Sequence, residues 1–338
     1  MIRRQCRKLT EPLAEFPITF EPRPLINKQS QVLALGSCFA LRVKEWLLAN
    51  DYRVLNEGDL PPTEFRGRRE FDPRIYYNTF CIRYEFERAA GLFVQADDDI
   101  WEPHQNALRV YQDPYRRMLA AEDRDLLWQR IGAVDEHMRQ HIRQADCVII
   151  TLGLTEVFFQ QHNGHAICAA PGYCGGGGIG CEFRCTEYQE NYANMEQVVQ
   201  LLKQLNPQAH LILTVSPVPL AATWSGVDHA IANTESKCTL RAVAGALQRK
   251  YDHVHYFHSF ELVMHAQRHE VFLEDGRHVM PNYVAGIMSD FERAFVKPQP
   301  AHVESSTTLP PSAPAKRKGP HFIDLSQTGP QAQSLAQR

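Results

Sequence analysis

The sequence predicts an α/β protein, a three-layer α/β/α domain built around a parallel sheet. Three observations predict it. The apolar runs Gln31–Gly36, Cys147–Leu152 and His210–Val215 read as strands covered on both faces, the pattern of a parallel sheet. Segments with apolar residues at three- and four-residue spacing separate these runs and read as amphipathic helices. Strand and helix then alternate from residue 31 to about 295, the order that crossover helices impose on a doubly wound sheet.

Residues 1–29 carry Pro12, Pro17, Pro22 and Pro24 among mixed charges and read as an extended N-terminal arm, docked through Phe16, Ile18 and Phe20. The α/β domain spans residues 30–296. Its first strand breaks at Gly36-Ser37, and a helix over 38–50 follows with Phe39, Val43, Trp46 and Leu47 on one stripe. Residues 51–55 form a loop and strand, and residues 56–75, rich in Gly, Pro and charge, form a long surface connection. Thr79 is placed to cap a helix over 80–91, leaving Asn78 exposed just before it. Residues 92–121 form a small β or irregular excursion. A helix over 122–145 leads into the second confident strand, which ends at Gly153-Leu154-Thr155-Glu156. Residues 160–186 form a Gly- and Cys-rich insertion, and Thr186 with Gln189 opens a helix to about Leu205. The strand at 210–217, a helix at 235–250, a strand at 253–257 and a helix at 280–295 complete the domain, while residues 297–338 read as a disordered tail.

Bulk composition limits the partners. With a net charge of −3, a pI near 6.6 and 44% apolar residues, nothing in the balance asks for nucleic acid or an anionic membrane. The N-terminus lacks the apolar core of a secretory signal, and no stretch approaches a membrane span. Nine cysteines, an odd number, argue against a disulfide framework. The expectation is a cytoplasmic protein.

Ligands of a doubly wound sheet bind beyond the carboxyl ends of its strands. Polar groups fall there at Gly36-Ser37, Asn78-Thr79, Gly153-Leu154-Thr155-Glu156 and the late segment Glu274-Asp275-Gly276-Arg277-His278. Ser37 reads either as a helix cap or as a nucleophile beside unsatisfied helix N–H groups. Asp275 and His278 are spaced so that one turn aims the carboxylate at the imidazole, which would serve as general base. An Asp-x-x-His taken alone is usually a surface turn. Cys38 reads as core packing rather than as a rival thiolate. The insertion's His162, His165, Cys168, Cys174, Cys181 and Cys185 have irregular spacing, which favours a flexible lid over a structural zinc site. Ser216 closes a strand as a substrate contact or a Ser-Pro turn. Lys237 and Arg241 bind an anion or solvate a surface, and His258 is as readily structural as catalytic.

Gly36-Ser37-Cys38-Phe39-Ala40 resembles the name-giving motif of the GSCFA family, itself similar to the SGNH/GDSL hydrolases. Tyr77-Asn78-Thr79, Leu152–Val157, Thr214–Leu220, Ser236-Lys237 with Leu240-Arg241, and Glu274–Val279 also look like that family. The resemblance implies a flavodoxin-like fold with Ser37 as nucleophile, His278 as base and Asp275 as its orienting acid. It implies an oxyanion hole from the Ser37 N–H and from Thr155, which stands where SGNH enzymes carry asparagine; Asn78 substitutes for an unmatched glycine donor. Glu156 and Ser216 are expected near substrate, with no metal or cofactor. The implied activity is hydrolysis or transfer of an acyl ester, on a small molecule or an O-acylated carbohydrate. The rival is a carbohydrate-binding or scaffold protein that keeps the fold without turnover.

Overall fold

The structure is a computed structural model that describes residues 20–55, 74–104, 109–116, 119–171 and 180–298. Most of the expected arm, the 56–73 part of the surface connection and the tail beyond 298 lie outside the described residues.

Five parallel strands form the central sheet: β1 (Gln31–Gly36), β2 (Arg53–Val54), β5 (Cys147–Leu152), β8 (His210–Val215) and β9 (Val254–Phe257), in the order β2-β1-β5-β8-β9. Counted along the chain this order is 2-1-3-4-5, the flavodoxin-like winding, whose switch point lies between β1 and β5. Successive strand residues point to opposite faces, so each run feeds two cores. Leu33, Leu35, Val148, Ile150, Leu211 and Leu213 pack on one face with helices α2 (Thr79–Ala89), α3 (Arg124–Gln144), α4 (Tyr188–Leu205) and α5 (His229–Lys250). Val32, Ala34, Cys147, Ile149 and Ile212 pack on the other with α1 (Cys38–Ala49) and a C-terminal helix, Pro281–Phe295. All six residues of β5 are buried, which explains its unbroken apolar sequence.

The excursion expected over 92–121 contains a two-stranded antiparallel ribbon, β3 (Tyr111–Gln112) with β4 (Ala120–Ala121). The insertion opens and closes as a second ribbon, β6 (Glu156–Gln160) with β7 (Cys181–Cys185). Two short helices lie between β9 and the C-terminal helix: α6 (Ser259–Met264) and α7 (Arg268–Val271); the C-terminal helix is thus α8. Fully buried Ile26 bridges Val296, and Arg23, Leu25 and Ile26 donate backbone hydrogen bonds to the last turn of α8.

Two local expectations are corrected. The cap of α2 is Asn78, not Thr79: the Asn78 Oδ1 accepts the Cys81 N–H at 3.0 Å, and Asn78 is buried rather than exposed. Thr79 is already helical and turns its hydroxyl to Asn191 Oδ1 at 2.8 Å. Helix α5 starts at His229, capped by Asp228 on the Ala230 N–H, six residues ahead of the expected start at 235.

Candidate active site

The site is assembled from the carboxyl ends of β1 and β5. Gly36 has φ +118°, and a Cβ there would sit 2.3 Å from the Thr151 carbonyl oxygen of the neighbouring strand, so only glycine fits. The chain can therefore turn sharply out of the sheet and start α1 with Ser37 at the cap position.

Ser37 makes no side-chain cap hydrogen bond. Its hydroxyl instead lies 3.2 Å from the hydroxyl of Thr151, and its N–H donates to the Thr151 carbonyl at 2.9 Å. The helix-cap reading is thus not the role that Ser37 plays. The first intrahelical bond runs from Ala40 N–H to Ser37 O at 2.8 Å, which leaves the N–H groups of Cys38 and Phe39 without an acceptor among the described residues.

Backbone bonds lace the other junctions to this one. Tyr76 N–H donates to Gly36 O at 2.8 Å, and Leu154 N–H donates to Tyr77 O at 2.8 Å. A Cβ on Gly153 would lie 2.4 Å from that same Tyr77 oxygen, so the second glycine is fixed by close approach. From α5, Ser236 Oγ accepts the Thr155 N–H at 2.8 Å and Lys237 Nζ donates to the Gly153 carbonyl at 2.6 Å. Two successive residues of one helix thereby clamp the turn after β5. Burial, reinforced by the Arg277 charge and opposed by Cys38, pulls the Lys237 ammonium down to about 7.

Asp275 and His278 sit on a hairpin closed by the Phe272–Val279 bridge and turned by Gly276 at φ +64°. His278 Nδ1 is hydrogen-bonded to Asp275 Oδ2, while Asp275 Oδ1 accepts the N–H groups of Arg277 and His278, both at 2.9 Å. Partial burial alone would raise the Asp275 carboxyl; the hydrogen bonds from His278 and Arg277 outweigh it and hold the group at about 2. His278 Nε2 makes no hydrogen bond among the described residues. Phe272 and Val279 join the apolar cluster that includes Phe39, with Cys38 packed against it, which docks the hairpin on the sheet face that carries α1. Arg277 Nε donates to the Pro219 carbonyl, beyond the end of β8, at 3.2 Å.

The structure thus joins Asp275 to His278 and gathers Ser37, Asn78 and Gly153 through main-chain bonds, but no hydrogen bond links Ser37 to His278. Of the expected oxyanion donors, the Ser37 N–H is held by Thr151, and the Asn78 amide donates to Ile167 O at 2.8 Å. The Thr155 hydroxyl makes no hydrogen bond among the described residues. Glu156 braces a loop, accepting Thr223 Oγ1 at 2.5 Å and the Trp224 N–H at 3.0 Å. Ser216 Oγ accepts the Val218 N–H at 3.3 Å, the Ser-Pro turn rather than an open contact.

The remaining candidates separate. Arg241 pairs with Glu261 at 2.5 Å, and His258 packs at a tilt against Phe20 with ring centres 4.8 Å apart. His162 faces Asp99, His165 bonds the Tyr115 hydroxyl, and Cys168 is fully buried. Among the described residues no group of three His, Cys, Asp or Glu side chains is placed to hold a metal; Cys174 lies outside them. Thr151 carries no sequence motif, and Ser236 stood out only within the family-like Ser236-Lys237 segment, with no role attached. The only signal for Thr151 was a hydroxyl near the end of an otherwise apolar strand.

Fold and site together define a doubly wound α/β protein with a serine at the sheet's switch point and a carboxylate-oriented histidine on a late hairpin. The chain belongs to the GSCFA family, whose model matches residues 31–291. No curated protein sequence matches it.

Proposed function

We propose that the chain is a serine-dependent acyl-ester hydrolase or acyltransferase of the SGNH/GDSL type. Ser37 attacks the ester carbonyl, His278 Nε2 takes the hydroxyl proton and returns it to the leaving alcohol, and Asp275 fixes the tautomer by holding Nδ1. Water or a second hydroxyl then releases the acyl group. A catalytic contact often forms only when substrate is present, so the Ser37 hydroxyl exchanges Thr151 for His278 on binding. The oxyanion is received by the Cys38 N–H, the next donor along the chain after the occupied Ser37 N–H, with the Thr155 hydroxyl as its companion.

The observation that carries this reading is the Asp275–His278 bond with Nε2 left open, on a hairpin whose Phe272 and Val279 share a core with Phe39. A small acyl ester, an O-acylated sugar included, is the substrate class. The compartment proposed is the cytoplasm, since an odd number of cysteines argues against a disulfide framework. Hydrolysis of a chromogenic acetyl ester tests the reading: wild type turns it over, and Ser37→Ala and His278→Ala abolish turnover. Full activity in Ser37→Ala would contradict it. A folded protein without turnover that still binds sugar would favour the scaffold reading, which the buried, Thr151-bonded Ser37 hydroxyl suits.

A further inference from the structure

Lys237 is 2% exposed and Arg277 is partly buried, and both point to the end of the sheet where Ser37 lies. Each donates to a main-chain carbonyl just beyond one of two adjacent strands: Lys237 to Gly153 after β5, Arg277 to Pro219 after β8. Neither has a carboxylate partner among the described residues. Asp275 is committed to His278, Glu156 to Thr223 and Trp224, and Glu261 to Arg241. Arg241, one turn along α5, shows the usual arrangement, a cation paired with an acid; Lys237 departs from it.

A buried cation without a counter-ion is costly, and a second cation beside it raises that cost. Such a pair is poorly suited to an empty site and well suited to one that receives an anion. An ammonium has three donors, of which the Gly153 carbonyl uses one, and the Arg277 guanidinium has free N–H groups beyond the one on Pro219. The open N–H groups of Cys38 and Phe39 add a positive helix end at the same side.

We propose that Lys237 and Arg277 form an anion subsite beside Ser37, so that the ester substrate carries a carboxylate, sulfate or phosphate group next to the bond that is cleaved. The inference rests on the serine-esterase reading for its substrate and on the two cations for its chemistry. A transient oxyanion does not account for the pair, because the pair is uncompensated in the resting protein. The groups facing Lys237 are Cys38 from α1 and Arg277 from the hairpin. Because burial and Arg277 depress the lysine, an arriving anion restores its charge, and binding takes up a proton from solvent.

Sulfate is the probe, since its charge is constant across the range tested. In the full chain, the thermal midpoint is compared in sulfate and in chloride of matched ionic strength, at pH 6 and pH 9. Wild type and Ser37→Ala are expected to gain stability from sulfate, more strongly at pH 6, with affinity about tenfold lower in Arg277→Gln and in Lys237→Met. Arg277→Lys is expected to recover part of the loss. Phosphate and acetate arms rank the anions. An equal gain in wild type and both variants, an adventitious ion only, would overturn the subsite, as would no gain in wild type. If Lys237→Met fails to fold, Arg277→Gln decides. Sulfate binding without ester turnover would refute the esterase reading alone; turnover without sulfate binding would refute the subsite alone.

Discussion

The Ser37 hydroxyl lies 3.2 Å from the Thr151 hydroxyl, and the Ser37 N–H donates to the Thr151 carbonyl at 2.9 Å. One residue of the neighbouring strand thus holds both the side chain and the backbone of the candidate nucleophile.

Thr151→Val removes the hydroxyl partner and keeps the carbonyl. A buried hydrogen bond of this kind contributes about 1 kcal/mol, so the urea midpoint falls modestly. The Ser37 hydroxyl, released from its resting partner, reacts severalfold faster with an acylating probe. An unchanged or slower rate would mean that Thr151 orients the hydroxyl for reaction rather than parking it.

Gly36→Ala meets the Thr151 carbonyl oxygen at 2.3 Å with φ at +118°, and Gly153→Ala meets the Tyr77 oxygen at 2.4 Å. Both contacts are with backbone and cannot be relieved by a rotamer change. Each substitution is expected to cost about 3 kcal/mol or more, read as a loss of chemical stability in denaturant. The cost is larger at Gly36, where the backbone angle adds its own strain. A near-neutral Gly36→Ala would show that the turn into α1 is not fixed as described.

Asp275, held at about 2, contributes stability that is present above the ordinary carboxylate range near 4 and disappears as pH falls through about 2. The gap between wild type and Asp275→Asn should therefore close between about pH 4 and pH 2 in thermal melts. The side chain is 46% exposed, so solvent screening keeps that gap small. The effect on turnover is far larger: without the acid, His278 adopts the wrong tautomer, and kcat falls by on the order of 10²–10⁴ at neutral pH.

Lys237 gives a slope of the same sign in a higher pH window, because burial penalises its charged form. Its folded value of about 7 lies below the unfolded value near 10.5, so the unfolded chain binds more protons between them and stability rises with pH across that window. Lys237→Met removes the rise, which the difference between the two melting curves from pH 7 to 10 measures. A parallel pair of curves would show that the lysine stays charged in the folded protein.

The fold was legible because the strands carry their burial in sequence. Six consecutive buried residues at Cys147–Leu152 leave no reading other than a strand covered on both faces. The Asp275–His278 pair was legible because its two members lie within one turn, where spacing decides contact. Long-range polar pairings were not. Nothing local marks that Ser37 meets Thr151 across 114 positions, or that Lys237 turns inward to Gly153 across 84 while Arg241 stays with Glu261. The Asn78 cap shows the same limit: both Asn78 and Thr79 suit a helix start, and the choice falls to partners on α4, where Asn191 takes the Thr79 hydroxyl.

Ser37 is proposed as a nucleophile served by His278. Reaction of the full chain with a fluorophosphonate, followed by mass mapping of the adduct, tests it most directly. One adduct is expected, on Ser37, absent in Ser37→Ala and formed much more slowly in His278→Ala. No adduct on the folded protein, or an adduct on another residue with Ser37 unmodified, would contradict it.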